Sequence, residues 1–291
     1  MPTAPVPVAH RTIDVDGVET FFREAGASDS PVVLLPHGYP CSSFQFRHFM
    51  AALGDRWRLI APDMPGFGYS ATPEGFDYTF EGYGRFLGRF AATLRLERYA
   101  LYLHDYGSQF GFRLAMHEPE RVAALIIQNG DIYEDELGPK YDWLRNYWAN
   151  PTPEGRAQMA ENVSKEGFRD EFLNGAPGHL AERVSPDLWK LHWSLMREPR
   201  RREIVVGIFE DQATTLADFP RMQAYLREHR PPTLIVWGPL DGYMPEGSAR
   251  AYLRDLPDAE LHLLNGGHWA LETNLDEIVA LARGFLERAH P

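Results

Sequence analysis

The segment Leu101-Tyr-Leu-His-Asp-Tyr-Gly-Ser108 passes from a β-rich apolar stretch into a tight turn and sets a carboxylate, Asp105, at its tip. A carboxylate there is suited to nucleophilic attack. Gly107 lets the chain reverse from strand to helix two residues later, as a strand–turn–helix nucleophile requires. The amides and dipole at the start of that helix favour the ionised, attacking form of the side chain. A plain N-cap aspartate would occupy the same position. Ser108 fits the turn less well, because Phe110 stands where a small residue is needed and Ser108 already falls within the helix.

Two further loops carry complementary chemistry. In Leu35-Pro-His37-Gly-Tyr-Pro-Cys-Ser-Ser43, Gly38 allows close backbone approach, and the amides of Tyr39 and Tyr106 are expected to form an oxyanion hole. Taken alone, the same loop reads as a tight turn. Near the end of the chain, Val236-Trp-Gly-Pro-Leu-Asp241 and Leu264-Asn-Gly-Gly-His268 each close a strand-like run. Asp241 is placed to orient His268 and to stabilise its charge while His268 removes a proton from water. His37 is expected to brace the oxyanion loop and His104 to make a structural hydrogen bond. No His or Cys spacing suits a metal, so neither metal nor cofactor is expected. Gly66-Phe-Gly68 lacks the remaining glycine and lysine of a phosphate loop and reads as a turn.

These loops must be carried by strands. Short β-rich apolar runs at 20–24, 32–36, 57–61, 99–104, 123–128, 233–237 and 260–264 alternate with amphipathic stretches, clearest at 80–96, 108–117 and 275–288. Such alternation predicts an α/β fold, a mostly parallel sheet flanked by helices, with reactive loops converging at the carboxyl ends of the strands. Between 133 and 229 the strand-like runs thin out, and Trp143, Tyr147, Trp148, Phe168, Phe172, Trp189 and Trp193 fall in helical contexts. The expected organisation is a core in two parts, 1–132 and 230–291, with an inserted helical cap at 133–229. Ser185-Pro-Asp187 reads as a helix start, and Asp218-Phe-Pro220 and Arg230-Pro-Pro232 as breaks that return the chain to the core.

A chain of 291 residues, 44% of them hydrophobic, can bury one large core of this kind. Its formal charge of −12 repels phosphate backbones and anionic lipid surfaces, so neither nucleic acid nor membrane is expected as a partner. Small neutral organic substrates and water are. No apolar run approaches the roughly 20 residues of a membrane span. The opening Met1-Pro-Thr-Ala-Pro-Val-Pro-Val8 has neither a basic stretch nor a long apolar run, which points to a cytoplasmic location. The single cysteine, Cys41, agrees with a reducing compartment. A monomer or homodimer is expected.

His37-Gly-Tyr-Pro-Cys-Ser-Ser-Phe-Gln-Phe-Arg47, Asp63-Met-Pro-Gly-Phe-Gly-Tyr-Ser70, His104-Asp-Tyr-Gly-Ser-Gln-Phe-Gly-Phe112, Pro119-Glu-Arg-Val122 and Gly266-Gly-His-Trp-Ala-Leu-Glu272 together resemble the α/β-hydrolase superfamily. Within it they resemble the branch with an aspartate nucleophile, the haloalkane dehalogenases and epoxide hydrolases. The order nucleophile, acid, histidine is also that of the superfamily. The resemblance implies that Asp105 attacks an sp3 carbon, forming an alkyl-enzyme ester that water, activated by His268 and Asp241, then cleaves. Some dehalogenases place the acid one strand earlier, where this chain has Asn129-Gly-Asp131. Asp131 is the substitute there, behind Asp241.

The leaving-group residues depart from both families. Dehalogenases place a Trp after the nucleophile and an Asn or a second Trp elsewhere, whereas this chain has Tyr106 and Tyr39, with Trp143 and Trp148 as replacements from the cap. Epoxide hydrolases use two cap tyrosines. Tyr141 or Tyr147 is the first, but Ile208-Phe-Glu-Asp-Gln-Ala213 holds no tyrosine for the second. The expected pocket comprises His37, Tyr39, Tyr106, Trp143, Tyr147 and Trp148. Carbon–halogen cleavage ranks ahead of epoxide opening, and both rank ahead of ester hydrolysis through Ser108 or a non-catalytic binding protein on the same scaffold.

Overall fold

The computed structural model describes residues 5–291; residues 1–4, part of the stretch read for a targeting signal, lie outside the described residues. Eight strands form one sheet: β1 (Ala9–Val15), β2 (Val18–Ala25), β3 (Val32–Leu34), β4 (Arg58–Pro62), β5 (Tyr99–His104), β6 (Val122–Gln128), β7 (Thr233–Trp237) and β8 (Glu260–Leu263). Their spatial order is β1-β2-β4-β3-β5-β6-β7-β8. The β1–β2 and β2–β4 pairs are antiparallel and the other five parallel.

The central strands read as continuous apolar runs because helices cover both faces of the sheet. Alternate residues divide between two cores, as the two-residue period of a strand dictates. Leu101, Leu103, Leu125, Ile127 and Ile235 join the core under the helices Phe80–Thr93 and Tyr106–His117. Ala100, Tyr102, Ala124, Ile126, Leu234 and Val236 join the core under the helices Arg47–Leu53 and Leu275–Ala289. Helix Phe80–Thr93 buries Phe80, Tyr83, Phe86, Leu87 and Phe90 on one stripe, and the Thr79 hydroxyl accepts from the Gly82 amide at its start. Each such aromatic contributes roughly 1.5–3 kcal/mol by leaving water.

Strand β1 went unread in the sequence because it is the outer strand of the sheet and mostly exposed, so Ala-His-Arg-Thr-Ile-Asp-Val shows little apolar signal. Among the described residues, the chain between β6 and β7 contains no strand. It forms six α-helices: Asp142–Ala149, Pro153–Asn162, Lys165–Phe172, Gly178–Ala181, Asp187–Met196 and Pro199–His229. The first of the two expected breaks does not occur: the last helix runs through Pro220. Phe219, Met222, Tyr225 and Leu226 are buried on both sides of that proline, and their packing outweighs the missing backbone donor. Arg230, in the left-handed conformation before Pro231 and Pro232, ends the helix where expected.

Candidate active site

The turn after β5 is strained where chemistry is expected. Asp105 has φ 50° and ψ −132°, a backbone shape that non-glycine residues rarely adopt. The turn packs too closely for side chains on either side, since a Cβ at Gly107 would run into the Pro36 carbonyl and one at Gly38 into the Asp105 side chain. The Asp105 amide donates to the Asn129 carbonyl at 3.0 Å. Ser108 turns its hydroxyl back to donate to the Asp105 carbonyl at 2.6 Å, so this buried serine braces the turn.

The Asp105 carboxylate, only 9% exposed as a residue, has two distinct oxygens. Oδ1 accepts from the Tyr39 amide at 2.6 Å, and the Tyr106 amide also bonds the carboxylate. Oδ2 lies 3.4 Å from Nε2 of His268, a nitrogen that is buried and has no hydrogen-bond partner. Burial would raise the Asp105 pKa, but His268, His104 and the Tyr106 amide hold it below the ordinary aspartate value.

Nδ1 of His268 meets Oδ2 of Asp241 at 2.6 Å. Four donors surround the Asp241 carboxylate: Nδ1 of His268 and Nδ2 of Asn129 (3.0 Å) on Oδ2, Nδ2 of Asn174 (2.9 Å) and the Tyr243 amide (2.9 Å) on Oδ1. Burial again opposes the charge, and the donors win, so the Asp241 pKa is lowered. For His268 desolvation would lower the pKa, yet the carboxylates of Asp241 and Asp105 hold it well above the ordinary imidazole value. The carboxylates of Asp241, at 2.6 Å from Nδ1, and Asp105, at 3.4 Å from Nε2, thus favour the protonated ring between them. Asp131 does not take this position. It is buried, with Oδ2 unpartnered, and burial together with Asp241 and Asp105 pushes its carboxyl up to about 8.

A polar chain under the site ties the loops together. The Gly38 amide donates to Gln45 Oε1 (3.2 Å), Gln45 Nε2 donates to His104 Nδ1 (2.8 Å), and His104 Nε2 donates to the His268 carbonyl (3.1 Å). Gln128 Nε2 donates to the same carbonyl at 2.9 Å. Desolvation keeps His104 neutral, its pKa near 3. His37 is likewise buried: Nδ1 donates to the Gly38 carbonyl and Nε2 accepts from the Met64 amide, both at 3.0 Å.

A cavity of about 330 Å³ opens above Asp105. Tyr39, Tyr106 and Trp143 line it, with Tyr141, Phe209, Gln212 and Tyr243; His37, Tyr147 and Trp148 do not. The Trp148 indole donates to the Phe209 carbonyl at 2.8 Å, and the Tyr147 hydroxyl donates to Glu210 at 2.7 Å. The Tyr106 hydroxyl donates to Gln212 Oε1 (3.1 Å), while Gln212 Nε2 donates to the Tyr141 hydroxyl (3.2 Å). Tyr141 thus keeps its own proton to give. Its pKa is raised by burial and by nearby Asp131 and Asp105, which keeps the phenol neutral. Lys140, Asp170 and Glu171 supply a polar wall, and burial lifts the Glu171 carboxyl to about 7.

Tyr243, Gln212, Phe209, Glu171 and Asn174 were not singled out in the sequence. Only Tyr243 carries a local signal, standing two residues beyond Asp241 in the same loop. The others approach the site through the packing of distant helices. No cluster of three or more His, Cys, Asp or Glu suited to a metal occurs among the described residues, and no helix among them is long and apolar enough to cross a membrane.

Comparison with known proteins identifies the family. The chain is 33% identical over 278 residues to an uncharacterized hydrolase of Saccharomyces cerevisiae, covering 94% of each chain. It is 29% identical over 257 residues to haloalkane dehalogenase 2 of Mycobacterium tuberculosis, covering 86% of each. Among solved structures it superposes on a putative epoxide hydrolase from Pseudomonas aeruginosa with a TM-score of 0.80 at 19% identity, covering 98% of both chains. The sequence profile of the alpha/beta hydrolase fold matches residues 31–275. With the sheet order, the strained turn at Asp105 and that match in place, the chain belongs to the α/β-hydrolase family, and it is a hydrolase.

Proposed function

We propose that the protein opens epoxides through an ester on Asp105, with residues 133–229 acting as the cap over a core of 1–132 and 230–291. Oδ2 of Asp105 attacks an sp3 ring carbon, the carbon–oxygen bond of the ring breaks, and the leaving alkoxide takes the proton of Tyr141. Esterification removes one of the two carboxylate charges that hold His268 protonated. Its pKa falls, its proton passes by way of water to the Tyr141 phenolate, and the neutral ring becomes a base for water. Water attacks Cγ of Asp105, the amides of Tyr39 and Tyr106 hold the resulting oxyanion, and collapse releases the diol. One proton of that water returns His268 to the imidazolium, and the other ends on the ester oxygen released into the diol, leaving the free carboxylate. Serine would leave an ether at the first step, which water cannot cleave in this way.

The observation that carries the choice of leaving group is the Tyr106–Gln212–Tyr141 chain. It ties down the Tyr106 hydroxyl and leaves the proton of Tyr141 to donate into the cavity. Trp148 has spent its N–H on the Phe209 carbonyl, so a paired-indole halide cradle lacks one partner. This reverses the ranking read from the sequence. Halide displacement stays as the second reading because Trp143 lines the cavity and a haloalkane dehalogenase is 29% identical to this chain. Incubation with styrene oxide, 1,2-dibromoethane and 1-chlorobutane, followed by measurement of diol and halide, separates the two. Diol formation is expected to exceed halide release; halide from either haloalkane with no diol would reject epoxide opening.

A further inference from the structure

Resting on the ester mechanism above, we propose that Asn174, a residue of the helical insertion, is a positioning residue for the acid–base pair and governs cleavage of the ester rather than its formation. Asn174 is buried just beyond helix Lys165–Phe172 and makes three contacts with the two loops that carry Asp241 and His268. Nδ2 donates to Asp241 Oδ1 at 2.9 Å, Oδ1 accepts from the Gly242 amide at 3.3 Å, and the main-chain carbonyl accepts from the His268 amide at 3.1 Å. One residue of the insertion therefore holds the acid by its side chain and the base by its backbone.

The surrounding packing leaves this contact no slack. A Cβ at Gly267 would strike the Asn174 carbonyl, and one at Gly175, which has φ 69°, would strike the Leu240 carbonyl. The Trp269 indole adds a bond to the Glu171 carbonyl at 3.0 Å, fixing the insertion against the residue after the base.

The two chemical steps depend on this contact unequally. Ester formation needs an ionised Asp105 and a proton from Tyr141, and His268 transfers no proton in it. Ester cleavage needs His268 to become an imidazolium, oriented by Oδ2 of Asp241. Without Asn174, Oδ1 of Asp241 retains only the Tyr243 amide. Asn129 still donates to Oδ2, so the carboxylate stays in place but is held less firmly about its terminal bond, and the 2.6 Å contact with Nδ1 loosens.

The test uses the full chain and whichever of styrene oxide, 1,2-dibromoethane and 1-chlorobutane the parent turns over fastest. In single-turnover mixing, intact mass reads the ester on Asp105 while product release is followed in parallel. Asn174→Ala and the isosteric Asn174→Asp, which keeps an acceptor for Gly242 but replaces the donor toward Asp241, are expected to form the ester at the parent's rate. They should cleave it about 10- to 100-fold more slowly, the range for one hydrogen bond to a charged group. The ester then accumulates, and kcat and KM fall together. The same first-step rate reports that the variants are folded. Equal slowing of both steps, or no slowing of either, would overturn the proposal. Failure of the underlying mechanism is read separately, as the absence of any mass increase on Asp105 in His268→Gln.

Discussion

The strand-end loops and the helical insertion hold their side chains by different means. At the strand ends main-chain groups take a share of the hold: the amides of Tyr39 and Tyr106 on Asp105, the Tyr243 amide beside three side-chain donors on Asp241, and the amide and carbonyl of His268 itself. Away from the seam at Glu171 and Asn174, the insertion offers side chains to side chains, as in Tyr106–Gln212–Tyr141, or spends their polar groups within itself, as in Trp148–Phe209 and Tyr147–Glu210. Main-chain anchors survive substitution at most neighbouring positions, whereas side-chain relays change with every replacement. In the proposed mechanism the reaction thus rests on the strand ends, and the choice of what it acts upon rests on the insertion.

The sharpest way to break this contrast is His268→Gln. If the strand ends carry the reaction, kcat falls by about 10⁴-fold or more, as for loss of a catalytic histidine elsewhere, and intact mass shows a stable adduct on Asp105. An adduct on Ser108 would instead move the chemistry off the turn tip. The next effect belongs to the insertion. Tyr141→Phe removes the proposed proton donor and should slow diol formation by about 10²-fold, the lower end for one donor to a developing oxyanion, while halide release from 1,2-dibromoethane changes far less. Equal losses on both substrates would show that Tyr141 shapes the cavity without choosing the leaving group. The smallest effect is expected at Trp148→Phe. Because its N–H serves the Phe209 carbonyl and its ring is absent from the cavity, kcat/KM should stay within about threefold, under 1 kcal/mol of barrier. A large loss of halide release alone would restore an indole cradle.

Legibility in the sequence followed the same division. The turn at Asp105, the loop at Tyr39 and the glycines before His268 were readable because a strand ending in glycine-flanked polar residues directs them to one edge of a parallel sheet. Asp241 and His268 are 27 residues apart, yet adjacent strands β7 and β8 bring their loops together. No comparable rule operates across the insertion. Trp148 and Tyr147 looked available because aromatic character says nothing of where an N–H or O–H points. Gln212 and Asn174, ordinary polar residues on or near helices, gave no local sign of their partners. Pro220 misled for a related reason, since the buried stripe that carries the helix past it comes from tertiary packing. Strand β1 was missed because an exposed outer strand needs little apolar content.

The close packing of Gly175 and Gly267 also bears on how this scaffold can be rebuilt. Exchanging residues 133–229 for the insertion of another hydrolase would replace Asn174 and Gly175 along with the cavity wall. A chimera designed for a new substrate would inherit an intact Asp105 but a loosely held base unless the donor segment brings an equivalent Asn-Gly pair at the same seam. Modularity in this chain therefore has a boundary inside the insertion, and a transplant that keeps 171–175 native respects it.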